Sequence, residues 1–267
     1  GLVGPPAPFT GPQFIQYRMQ EFCDKGLSSF TGYATPLLAH NLFNVEAAAE
    51  WSWNPDGRSP EEFARSYAVR RGLADPDSFA RWALLVGQVG WQLYGSEWPT
   101  GERHGPTRPL VKSLKKGKLM GLGETLGDVW RYPWAEFHSS QELRRALTDA
   151  QEAVGLAKRM GEEDLLQESL YLQGCAQVLV STWELGQCID DGSVKEGQEE
   201  RAAREMRAFV AGCRQAADAD RKWAQIRAPS LQFEPGSRYS AVVDTLEGLA
   251  GDMEGLAAEL GVGLEGQ

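Results

Sequence analysis

"SSQELRRALTDAQEAVGLAKRM", residues 139–160, decides the fold class. Ser139 followed three residues on by Glu142 is a capping-box start, and Leu143, Leu147, Ala150, Val154 and Ala157 then recur at alternating steps of four and three. A turn of about 3.6 residues gathers such positions onto one stripe, so the segment predicts a long helix with one apolar face. The pattern returns three times downstream. Leu165, Leu172 and Leu179 stand seven apart, with Cys175, Val178 and Trp183 widening the face. Ala202, Met206, Phe209, Cys213, Ala216 and Trp223 make a third seam, interrupted by Asp220. Tyr239, Val242, Leu246, Leu249, Met253, Leu256 and Leu260 make a fourth.

Polar breaks at "GEED", "DDGSV" and "APSLQFEPGS" separate these helices, and neighbours so joined pack antiparallel at a shallow angle. Residues 137–267 therefore predict a bundle of three to four long antiparallel helices, with Cys175, Met206 and Cys213 in its core. Its acidic residues, among them Glu162, Glu163, Glu168 and Glu184, read as a solvated face.

Residues 98–136, rich in proline and glycine, read as an irregular linker, and their basic run of Lys112, Lys115, Lys116 and Lys118 reads as solvated surface. Residues 1–97 read as a separate, shorter helical region. Ser59, Pro60 and Glu62 write an explicit helix start, which Gly72 ends. Asp75 and Pro76 repeat the signal before Phe79, Trp82, Val86, Val89 and Leu93 on one broad apolar face. Further upstream, Phe14, Tyr17 or Arg18, and Phe22 fall at helical spacing, with Gly26 as the stop. "LSSFTGYATP", residues 27–36, is the best strand candidate, and "AHNLFNVEAAAEWSW" returns to helix. The expected fold class is thus mainly α, a helical bundle preceded by a helix-strand-helix segment. One strand cannot satisfy its own backbone hydrogen bonds, so its sheet is expected elsewhere, and the loop-like opening "GLVGPPAPFTGP" reads as the middle of a longer chain.

Composition narrows the function. The 267 residues are 42% hydrophobic and 24% charged, with a net charge of −10, which repels nucleic acid and anionic membranes. No apolar run reaches the roughly 18 residues of a membrane span. Four scattered cysteines and three histidines signal neither a disulfide framework nor a metal site, and no nucleotide, flavin or metalloprotease motif occurs, so no cofactor and no catalytic residue are assigned. What stands out is nine tryptophans. Trp82, Trp91, Trp183 and Trp223 lie within apolar helices and read as core. Trp51 and Trp53 read as core on spacing alone, yet they sit at a helix end beside Asn54 and Asp56, where indole faces and polar groups together suit a sugar ring.

"HNLFNVEAAAEWSWNPDGRSPEEFARSYAVRRG", residues 40–72, resembles the segment after the last barrel strand in bacterial glycoside hydrolases of families 20 and 84, which act on N-acetylhexosaminides. There a strand ends at the active-site rim, a helix runs through small residues to a tryptophan-bearing end, and a helical extension follows. The resemblance implies that residues 1–55 are the last strand-helix part of a (β/α)8 barrel whose other strands lie before Gly1. It implies a carbohydrate ligand, with Tyr33 and Thr35 at the strand end, His40 and Asn41 entering the next helix, and Trp51 and Trp53 as sugar-side residues. The catalytic acid pair of those families follows a middle strand and has no counterpart here. "GYATP" also stands where family 84 shows an asparagine-proline pair, and the acidic rim residue of family 20 is absent. The expected role is the C-terminal helical part of a hexosaminidase-like hydrolase, inactive alone, with a possible homodimer through the bundle. Two rivals are a non-enzymatic helical module for self-association and an accessory protein that binds sugar without hydrolysis.

Overall fold

The computed structural model describes residues 8–29, 38–99, 110–119, 121–126, 130–131, 134–229 and 240–264. Nine helices carry nearly all regular structure among these residues. The first five are α1 (Pro12–Asp24), α2 (Leu38–Trp53), α3 (Pro60–Arg71), α4 (Pro76–Gly95) and α5 (Leu110–Lys115). The bundle follows as α6 (Ser140–Met160), α7 (Glu163–Cys188), α8 (Glu199–Arg227) and α9 (Ala241–Glu259). Two short antiparallel ribbons complete the description, β1 (Thr125–Leu126) with β2 (Trp130–Arg131) and β3 (Ile189–Asp190) with β4 (Ser193–Val194). The chain is mainly α, as the apolar spacing predicts.

Local chemistry sets the helix limits. At α6 the Ser139 hydroxyl accepts from the Glu142 backbone N–H at 3.2 Å, but the Glu142 carboxylate reaches the N–H of His138 rather than that of Ser139. The reciprocal half of the expected capping box is displaced outward by one residue. Gly161, at φ 73°, ends α6 in the left-handed region, and α7 starts two residues later. Between α7 and α8, Asp191 and Gly192 both take positive φ, 39° and 79°, and turn β3 directly into β4. "DDGSV" is thus a two-residue hairpin, since Asp-Gly is the pair that tolerates two successive positive φ angles.

Side chains show α7 and α8 running antiparallel. Gln215 donates to the Leu170 carbonyl and to Gln173, Ser181 donates to Glu205, and Arg201 pairs with Glu184, so one helix descends as the other climbs. Arg214–Glu254 and Arg221–Glu247 hold α9 along α8, at 2.5 and 2.6 Å. Arg144–Glu184 holds α6 along α7 at 2.5 Å.

One apolar core runs from Met19 to Ala257. Trp82 of α4 donates its indole N–H to the Ser169 hydroxyl of α7 at 2.8 Å, and Arg81 pairs with Glu152 of α6 at 3.0 Å, so the first four helices pack onto the bundle. Residues 98–136 also enter that core, through Trp98, Leu110, Leu114 and Trp134. The basic run behaves as expected, with Lys112, Lys115, Lys116 and Lys118 exposed.

Several expectations change. In α1 the core-facing stripe is Ile15, Met19 and Phe22, which keeps Phe22 of the expected seam but replaces its other members, and Tyr17 faces outward. Trp91 is half-buried instead of core, and half-buried Trp183 packs edge-on against Trp134. Glu168 is buried and Glu184 nearly so, contrary to a solvated acidic face. The expected strand falls mostly on residues 30–37, outside the described residues, while 27–29 leave α1 without regular structure. Among the described residues no helix is long and apolar enough to cross a membrane.

Candidate functional site

The α2–α3 corner divides the two tryptophans. Each helical residue advances about 100°, so Trp51 and Trp53 point roughly 200° apart. Trp51 turns inward, with its ring 5.1 Å from that of Phe63 and its indole N–H donated to the Arg58 carbonyl at 2.9 Å. Trp53 points out and is 91% exposed. Trp51 therefore supports the corner from beneath, whereas Trp53 faces solvent.

Trp53 lines an open groove of about 780 Å³ together with Glu46, Glu50, Asn54, Arg58 and Arg70. Both of its arginines are ion-paired. Glu46 holds Arg70 and Arg71, each at 2.9 Å, and Glu50 holds Arg58 at 3.3 Å. Glu62, on the groove's edge, accepts from both the backbone N–H and the hydroxyl of Ser59 at 2.8 Å while Ser59 caps α3. The Ser59 backbone N–H, and then its hydroxyl, hold that carboxyl below the usual range. With both arginines paired and the Glu62 carboxylate held by Ser59, the groove offers an aromatic face and oriented polar edges beside a small excess of negative charge. That combination suits a neutral, hydroxyl-rich ligand better than an ion.

His40 and Asn41 do not join Trp53. They lie in the first turn of α2 and Trp53 ends it. At about 1.5 Å per residue, roughly 20 Å of helix separates them. The side chains of His40 and Asn41, and the whole of Tyr33 and Thr35, lie outside the described residues.

A second group of polar residues sits in the core, where Glu168 is buried instead of solvated and Asp220 interrupts its seam from within. Glu168, Tyr171 and Cys175 share one face of α7, and Asp220 projects from α8. Burial pushes the Glu168 carboxyl up to about 7, against the pull of Arg227 and of the Thr10 hydroxyl, which donates to it at 3.2 Å. Burial holds Asp220 well above its usual range, only partly offset by Arg221, and neither of its carboxylate oxygens has a hydrogen-bond partner among the described residues. The Cys175 thiol rises to about 12 by burial, which keeps it protonated and unreactive. The Tyr94 and Tyr171 phenols rise for the same reason, and Tyr94 donates to the Pro8 carbonyl at 2.6 Å. A cue for Asp220 was its place in the apolar seam between Ala216 and Trp223. Glu168 falls likewise between the seam positions Leu165 and Leu172.

Among the described residues no group of three or more His, Cys, Asp or Glu side chains is placed to hold a metal ion. No protein-family model, curated protein or solved structure matches the chain.

Proposed function

We propose that this chain is the helical part of a glycoside hydrolase of the N-acetylhexosaminidase kind, that it does not catalyse by itself, and that its α2–α3 corner touches carbohydrate. The observation that carries the sugar contact is Trp53, an indole 91% exposed over a groove whose arginines are already paired. Folding gains nothing from that indole, whereas the apolar face of a pyranose stacks on such a surface. The link to a hydrolase rests on the resemblance of residues 40–72, in which "AAAEWSWNP" ends α2 and "SPEEF" caps and opens α3. In this reading a barrel domain supplies the acid pair, and the helical part packs beside it and extends the sugar-binding surface.

Calorimetric titration of residues 1–267 with an N-acetylglucosamine dimer tests the proposal. Binding is expected, with a loss of about tenfold or more in Trp53→Ala at unchanged melting temperature, as one stacking contact implies. A chromogenic N-acetylhexosaminide should remain intact. Equal binding by wild type and Trp53→Ala, or hydrolysis by the chain alone, would overturn it.

The self-association reading requires apolar seam surface left over for a partner. Among the described residues of α6 to α9, Ile226 is the one large apolar side chain left exposed, which favours the carbohydrate reading.

A further inference from the structure

A second groove, of about 630 Å³, borders the first across the Asn54–Gly57 turn, and the two share Gly57 and Glu62 in their linings. We infer that the carbohydrate taken at this corner is a chain of several neutral sugar units laid across the turn, stacking on Trp53 on one side and Tyr17 on the other. The inference rests on the carbohydrate reading above and adds the length and course of the ligand.

Three observations support it. Tyr17 is the second exposed aromatic at this corner, 50% accessible, with its ring 5.6 Å from that of Trp91 behind it. Folding places it outward because the Ile15, Met19 and Phe22 stripe of α1 is the one that packs inward.

The wall beside Tyr17 is built from amides. Gln13, Gln16 and Gln20 recur at steps of three and four along α1 and all line the groove. All three are oriented by hydrogen bonds: Gln13 donates to the Leu84 carbonyl at 2.7 Å, Gln16 to the Arg58 carbonyl at 3.3 Å, and Gln20 to the Asp24 carboxylate at 3.3 Å. An amide offers both donors and acceptors without charge, which matches the alternating roles of sugar hydroxyls.

The ridge between the grooves excludes other ligands. Asp56 and Glu62 stand on it, and with the net charge of −10 they disfavour an anionic chain such as nucleic acid or a sulfated glycan. A single sugar ring occupies one groove only. Both aromatic platforms are used together only by a ligand long enough to cross the turn, and the second contact then adds as an intramolecular event.

The experiment is calorimetric titration of the whole chain with N-acetylglucosamine oligomers of two, four and six units, on wild type, Tyr17→Ala and Trp53→Ala. Affinity is expected to rise at least about tenfold from dimer to hexamer through the second linked contact. Tyr17→Ala should abolish that rise and leave dimer binding unchanged, while Trp53→Ala should weaken every oligomer. Gln20→Glu, which brings a charge into the amide wall without touching the Tyr17 and Trp91 packing, should reproduce the selective loss. Affinity independent of length, or a rise that survives both Tyr17→Ala and Gln20→Glu, would sink the extended site and leave the Trp53 contact standing. Binding that Trp53→Ala does not alter, or no binding at any length, would remove the carbohydrate reading itself.

Discussion

Gly174 of α7 and Gly212 of α8 face each other at the closest approach of the two longest helices. A Cβ on Gly174 would fall 2.5 Å from the Gly212 carbonyl oxygen, and one on Gly212 would fall 2.9 Å from the Gly174 carbonyl oxygen. The obstruction is backbone on both sides, so it cannot turn away as a side chain would. Gly174→Ala should therefore cost about 2 kcal/mol or more, as overpacking does, and lower the melting temperature by roughly 4–8 °C in calorimetry. An unchanged melting temperature would mean that the helices separate at little cost.

Two raised carboxyl groups set the pH dependence. Below about pH 4.5 Glu168 is neutral in both folded and unfolded chains, so its burial carries no ionisation cost. As the pH rises toward about 7, the unfolded chain ionises first and is favoured. This contribution is fully present at low pH and is lost on the way up, amounting to about 3 kcal/mol for a shift of this size. Asp220 acts in the same direction. Glu168→Gln should flatten the fall in stability between pH 5 and about 7 in urea titrations. A slope equal to that of wild type would show that Glu168 is ionised in the folded protein.

Ser59 serves α3 and the groove together. Ser59→Ala removes a cap that accepts from the Glu62 N–H at 3.2 Å and frees the Glu62 carboxylate from its hydroxyl partner. The expected loss is about 1 kcal/mol, read from the urea midpoint.

The two tryptophans should respond oppositely to truncation. Trp51→Ala empties a buried site and should cost about 3–5 kcal/mol, while Trp53→Ala should stay within about 0.5 kcal/mol. Acrylamide should quench the wild-type emission more readily than that of Trp53→Phe. Similar destabilisation by both alanine variants would place Trp53 in the core.

Much of this was readable in the sequence. The bundle seams were, because burial imposes the helical period directly on residues such as Leu165, Leu172 and Leu179. The division between Trp51 and Trp53 was available in principle, since residues two apart on a helix cannot both face the core. It stayed hidden because both tryptophans stand at a helix end beside Asn54 and Asp56, where the helical period no longer separates their faces with certainty. Tyr17 was misplaced because α1 carries apolar residues on more than one side, Phe14 as well as Ile15, and only packing against the neighbouring helices decides how deeply each is buried. Asp220 and Glu168 break an apolar seam, yet composition cannot tell a buried acid from one at a kink. The hairpin at Asp191–Gly192 looked like a plain break because two-residue strands have too little sequence to announce themselves.

One carbonyl oxygen has a wider consequence. That of Arg58 receives the indole N–H of Trp51 from α2 and the amide of Gln16 from α1, so three parts of the chain meet at one acceptor just past the Asn54–Gly57 turn. The Trp53 groove is bounded by α2, the turn and α3, and the Tyr17 groove by α1, the same turn and the start of α3. Their mutual positions are set during folding, and a ligand arriving there meets walls already in place. Association should then proceed in a single kinetic phase whose rate grows linearly with ligand concentration, and the backbone should spend little ordering entropy on the encounter.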